Sequence, residues 1–171
     1  YQGAIADYTK AIEINPQDPY AYYNRANAKR ESGDNQGAIA DYNQAIEISP
    51  ELAIAYYNRG VAKYDLGDYQ GAIADYNKAI EINPRYAATY NNRGLAKSNL
   101  KDYQGAIDDY TKAIEINPQH ALAYYNRGNA KYGLGDQQGA CADYKKAVSL
   151  GHQSTAQWLN SAGGAWCRNM R

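Results

Sequence analysis

"YQGAIADYNKAIEINP" occupies Tyr69–Pro84, and "YQGAIADYTKAIEINP" at Tyr1–Pro16 differs from it at one position. Between them and beyond, Gly3, Gly37, Gly71, Gly105 and Gly139 step by 34 residues, as do Pro16, Pro50, Pro84 and Pro118. Within the quoted stretch Ala72, Ile73, Tyr76, Ala79 and Ile80 form an apolar stripe at helical spacing. Pro84 stops that helix, because proline cannot continue the hydrogen-bond ladder and disfavours helix just before it. Upstream, Ala53–Leu66 carries Tyr56, Gly60 and Lys63 along one helical face. Between the two blocks stands Leu66-Gly67-Asp68, where Gly67 suits a left-handed closing turn and Asp68 suits a helix N-cap. Gly33-Asp34 and Gly135-Asp136 repeat the device. Lys101-Asp102 lacks the glycine and is expected to close less easily. The unit is helix, tight turn, helix, stop.

Small residues recur where helices must approach: Ala26, Gly60, Gly94 and Gly128 on first helices, Ala38, Ala72, Ala106 and Ala140 on second. Large ones alternate with them, at Tyr22, Tyr56, Tyr90 and Tyr124, and at Tyr8, Tyr42, Tyr76, Tyr110 and Tyr144. Small against large is how a close-packed core fills its volume. The chain has 19 Tyr and no Phe, so large core side chains bring hydroxyls that need partners.

This 34-residue unit, with an aromatic, Gly/Ala, Ala, aromatic, Ala and Pro in that order, resembles the tetratricopeptide repeat. The resemblance implies an all-α, right-handed α-solenoid of stacked antiparallel helix pairs forming a single domain. Complete units would run 19–52, 53–86, 87–120 and 121–154, preceded by the second helix of another at 1–16. Residues 155–171 would then cap the last unit, with a helix over Thr155–Ala162 ended by Gly163-Gly164. The wording "YNRGxAKxxLGDYQGAIADYxKAIEINP" is similar to repeats of cyanobacterial proteins.

Where the family usually has leucine, this chain has Arg25, Arg59, Arg93 and Arg127. A charge beside the core needs a partner, because an unpaired buried ion is costly. The periodic candidates are Asp7, Asp41, Asp75, Asp109 and Asp143. The expected pairing is between repeats, each arginine with the preceding unit's aspartate: Arg25 with Asp7, Arg59 with Asp41, Arg93 with Asp75, Arg127 with Asp109. The alternative is that both series are solvated. Lys29, Lys63, Lys97 and Lys131 are expected along the same seam.

Asn24, Asn58, Asn92 and Asn126 are each rotated about 100° from the neighbouring arginine. On that face stand Tyr23, Tyr57, Asn91 and Tyr125, then Asn27, Val61, Leu95 and Asn129, then Arg30, Tyr64, Ser98 and Tyr132. First helices line the inner side of such solenoids, and an amide grips a peptide backbone without reading its sequence. The resemblance implies the same, since family members that hold extended peptides carry asparagine at this position. The alternative is that these amides brace neighbouring helices. Members that clamp a C-terminal carboxylate use cations here, whereas this chain has Tyr23, Ile54, Ala88 and Asn92. The expected partner is a near-neutral peptide or protein segment with apolar anchors.

Eighteen Lys+Arg balance eighteen Asp+Glu, so there is no electrostatic footprint for nucleic acid. No apolar run reaches the roughly 20 residues of a membrane span. His120 and His152 are isolated, Cys/His metal spacing is absent, and Glu13, Glu47, Glu81 and Glu115 read as solvated. Neither a catalytic group nor a cofactor or metal site is expected. Cys141 and Cys167 are read as free thiols, with a single bridge as the alternative. The first residue is Tyr1 and the single methionine is Met170, so a leader can be neither found nor excluded, and the compartment is left open with cytoplasmic as the default. The function expected is a protein-interaction scaffold. The alternatives are a targeting or regulatory arm of a larger enzyme and an element that self-assembles end to end through Ile5, Tyr8 and Ile12.

Overall fold

Apolar spacing near 3.6, broken first by a turn and then by a proline, yields nine helices of 13 or 14 residues. They are α1 (Gln2–Ile14), α2 (Pro19–Glu31), α3 (Asn35–Ile48), α4 (Ala53–Asp65), α5 (Tyr69–Ile82), α6 (Ala87–Asn99), α7 (Tyr103–Ile116), α8 (Ala121–Gly133) and α9 (Gln137–Ser149). Two shorter ones follow, α10 (Gln153–Asn160) and α11 (Ala165–Arg168). The computed structural model describes residues 1–170; Arg171, the end of the expected capping segment, lies outside them. There is no strand among the described residues. They form two compact units, Tyr1–Pro84 with α1–α5 and 85–170 with α6–α11. In the first unit α2 pairs with α3 and α4 with α5, while α1 packs on α2 and α3 on α4. In the second, α6 pairs with α7 and α8 with α9, α7 packs on α8, and α10 and α11 lie against α9. The fold is all-α, built of stacked helix pairs.

Second-helix tyrosines fill each unit's core. Tyr42, Tyr76 and Tyr110 are at most 1% exposed. Gly60 leaves room for one of them: a Cβ there would stand 2.7 Å from the Tyr76 ring. The equivalent Ala26 is fully buried, so the site accepts one methyl when the facing ring yields.

Each hairpin closes through a residue at positive φ. Gly67 takes φ +82°, and Lys101, in the hairpin without the glycine, is forced to φ +64°. A Cβ in that conformation costs about 1–2 kcal/mol. Lys101→Gly therefore raises stability by about 1 kcal/mol, read as a higher urea midpoint at unchanged slope. The aspartates that follow cap the second helices: Asp68 accepts from the Gly71 amide at 2.9 Å, and Asp102 from Gly105 at 2.9 Å. A Cβ on Gly71 would overlap the capping carboxylate, which explains why the glycine recurs with the aspartate.

The arginine pairing differs from the expected one. Arg25 forks onto Asp41 of its own hairpin, Nε to Oδ2 and Nη2 to Oδ1, both at 2.8 Å. Arg59 holds Asp75, Arg93 holds Asp109 and Arg127 holds Asp143 in the same way. A lysine completes each site, Lys29, Lys63, Lys97 and Lys131 each lying 2.8 Å from the corresponding carboxylate. The pairing of Arg25 with Asp7, Arg59 with Asp41, Arg93 with Asp75 and Arg127 with Asp109 is thus corrected. Height along the helices does not separate the two choices, since Arg25 and Asp41 stand equally far from Gly33, and Asp7 and Arg25 equally far from Pro16. Azimuth does. From α1 it is Thr9 that meets Arg25, accepting from Nη1 at 3.2 Å, and Asp7, two residues back, points about 200° away. Asn43 and Thr111 serve Arg59 and Arg127 likewise. The arginine ties neighbouring repeats together through a neutral side chain, not through the aspartate.

The cysteines are not free thiols. Cys141 on α9 and Cys167 on α11 form a disulfide, their Cα atoms 5.3 Å apart. Gly164 makes this possible, since a Cβ there would press into the Leu159 and Trp158 backbone, so only glycine lets α11 fold straight back. α10 begins two residues earlier and ends two earlier than expected, at Gln153 and Asn160.

Candidate functional site

The first helices of consecutive repeats adjoin, α2 with α4 and α6 with α8, and present one face to solvent within each unit. In the first unit Tyr23 and Tyr57 lie over the core tyrosines Tyr42 and Tyr76, with ring centroids 6.1 Å apart in both pairs. Asn58 does not stand free: its Nδ2 donates to the Tyr23 hydroxyl at 3.0 Å and to Asn27 Oδ1 at 3.3 Å. Asn27 Oδ1 also accepts from the buried Tyr42 hydroxyl at 2.6 Å. Burial pushes that hydroxyl up to about 12, so it stays a donor at neutral pH. The donor half of Asn58 is therefore spent on bracing α4 against α2. Asn24, half-buried, makes no hydrogen bond among the described residues. Val61, on α4, is half-buried, and Tyr64 sets its ring edge-on to Tyr69 at 5.2 Å.

In the second unit the amide row departs further from expectation. Asn126 Nδ2 donates to Asn91 Oδ1 at 3.1 Å, and Asn91 Nδ2 to Asn92 Oδ1 at 3.2 Å. Asn126 and Asn91 are 6% and 3% exposed, so neither meets a ligand as placed; bracing between α6 and α8 takes them inward. Leu95 packs into the cluster around Tyr110 and Ala106. The more open residues are Tyr125, Asn129 and Tyr132, which line a cavity of about 320 Å³ together with Tyr144, Trp158, Ser154 and Thr155. The sequence pointed to the first three. Trp158, 34 residues on from Tyr124, stands in first-helix register within the segment expected to cap the last unit.

The cavity walls are held in place by other rings. Tyr125 stacks on His152 at 4.8 Å, and Trp158 sets edges to Tyr144 at 5.1 Å and Trp166 at 6.1 Å. Tyr132, about half exposed, leans on Trp166 at 5.6 Å. Asn129 Oδ1 accepts from the Tyr144 hydroxyl at 2.9 Å, a group that burial raises to about 12. Thr155 and Ser154 turn their hydroxyls to His152 Nδ1. None of the lining residues carries a charge. Among the described residues no group of three or more His, Cys, Asp or Glu is arranged to hold a metal, and no helix is long and apolar enough to cross a membrane.

Models of the TPR or tetratricopeptide repeat match at residues 1–29, 26–67, 53–86, 87–120 and 109–142. No curated protein matches the chain. Among solved structures, a crystal structure of MamA is 28% identical, covers 91% of this chain and 91% of its own, and superposes with a TM-score of 0.84. A second MamA protein crystal structure is 28% identical over 94% of this chain and 87% of its own, with a TM-score of 0.82. MamA residues 41 to the end from Desulfovibrio magneticus RS-1 is 20% identical over 89% and 86%, with a TM-score of 0.83, a likeness of fold alone.

Proposed function

Because the chain belongs to the tetratricopeptide repeat family and is a protein-interaction scaffold, we propose that it holds a near-neutral segment of a partner protein along the exposed face of its first helices. The observation that carries this is where the first-helix cations go. Arg25, Lys29, Arg59 and Lys63 in one unit, and Arg93, Lys97, Arg127 and Lys131 in the other, are all turned onto Asp41, Asp75, Asp109 and Asp143. The other first-helix cation, Arg30, pairs with Glu31 at 2.9 Å, so what remains beside them is mostly tyrosine, amide and aliphatic surface with no net charge, a mixture that suits recognition of a near-neutral segment. Asn24, with its donors and acceptor uncommitted, and Val61 are the residues we assign to backbone and apolar contact in the first unit. Asn58 is assigned a positioning role, holding Tyr23.

The test is capture of partners from a lysate of the source organism by the wild type and by Asn24→Ala/Val61→Lys, with helicity checked by circular dichroism. The double variant is expected to lose a defined subset of partners. Identical partner lists would remove the groove.

A further inference from the structure

We propose that the aromatic cavity beside α8 and α10 is a docking site for a proline-rich segment of a partner, bound in the extended polyproline conformation. The inference rests on the first-helix reading above and names the partner class of its C-terminal end. Three properties of the cavity lead there.

The first is its hydrogen-bonding sense. Asn129 Oδ1 accepts from the Tyr144 hydroxyl, which orients the amide, and its Nδ2 hydrogens are uncommitted. Trp158 Nε1 is a donor only and makes no hydrogen bond among the described residues. The Tyr125 and Tyr132 hydroxyls are likewise unengaged. Ser154 and Thr155, the remaining polar lining, are turned onto His152. An ordinary peptide brings an N–H at every residue, each of which must find an acceptor or water, while its carbonyls meet these donors. A proline segment brings carbonyl acceptors and no N–H.

The second is charge. With no ionised group in its lining, the cavity has nothing to offset the desolvation of a charged ligand. A quaternary ammonium would gain from the rings, but it brings no acceptor for the waiting donors. The third is rigidity. Tyr125, Tyr132 and Trp158 are each fixed by a second ring, so the walls stand before a ligand arrives. A polyproline helix is also ordered beforehand, and two preorganised surfaces lose little entropy on meeting. Aromatic-lined grooves are the general host for such segments. The volume of about 320 Å³ fits a few residues of it, not a single small ion.

The experiment is a titration of the full chain, followed by tryptophan fluorescence, with capped octaproline, a capped glycine-serine peptide of the same length, and tetramethylammonium. Octaproline is expected to bind saturably and the other two not. Asn129→Leu and Tyr132→Ala are each expected to weaken it about tenfold, with helicity unchanged, while Tyr132→Phe keeps most of the affinity. The proposal is overturned by absent octaproline binding, by equal binding of the glycine-serine peptide, by tetramethylammonium binding in its place, or by variants without effect. The two readings fail separately. If Asn24→Ala/Val61→Lys loses natural partners while octaproline does not bind, only the proline assignment falls. If partner lists are unchanged in all these variants, both fall.

Discussion

Asp75→Asn is expected to destabilise the first unit by about 3 kcal/mol, while Asp7→Asn changes it by less than about 0.5 kcal/mol. Asp75 is 3% exposed and accepts from Arg59 and Lys63 together. Replacing one carboxylate oxygen by an NH2 turns an acceptor into a donor that faces two cations. Both cations then remain largely buried without their counter-charge, and that uncompensated state is the source of the loss. Asp7 is exposed and no arginine reaches it, so its removal leaves nothing unpaired. The measurement is urea unfolding of the two single variants, with Arg59→Gln and the Asp75→Asn/Arg59→Gln double variant closing a cycle. A coupling near zero between Asp75 and Arg59 would remove the pairing. A penalty for Asp7→Asn equal to that of Asp75→Asn would restore the inter-repeat assignment. Because repeat arrays unfold in neighbouring steps, the loss is expected to appear in α4 and α5 before it appears elsewhere in that unit.

The second large effect is at the other end. Cys141→Ala/Cys167→Ala is expected to lower the stability of the α9–α11 region by about 3 kcal/mol, the loop-closure contribution of a bridge spanning 26 residues. Beyond the bridge, α11 is a single turn, packed through Cys167 and Trp166 against Cys141, Tyr144 and Leu159. So short a helix has little stability of its own. Hydrogen exchange is the direct readout: amides of Gln153–Arg168 should lose protection in the variant, while those of α6 and α7 keep theirs. The Trp158 wall depends on Trp166, so octaproline affinity should fall with it. Unchanged protection across α10 and α11 would show that apolar packing alone holds the segment.

Much of this was legible in the letters because it is local. The 34-residue step, the aspartate caps and the tyrosine-against-glycine packing depend on neighbours within one hairpin, so the period alone places them. Lys101 at positive φ was readable for the same reason, as the one hairpin written without its glycine.

What the letters left open was which of two equidistant partners a side chain meets. Asp7 and Asp41 lie level with Arg25 across their respective turns, and only the azimuth of α1 and α3 about α2 sends the guanidinium to one and to Thr9 on the other. The buried fate of Asn126 and Asn91 and the joining of Cys141 to Cys167 have the same origin. Helix, cap and turn are set by interactions a few residues apart. How one packed helix is rotated against the next is set by the volumes of all the side chains between them, and that is fixed only once the units have closed.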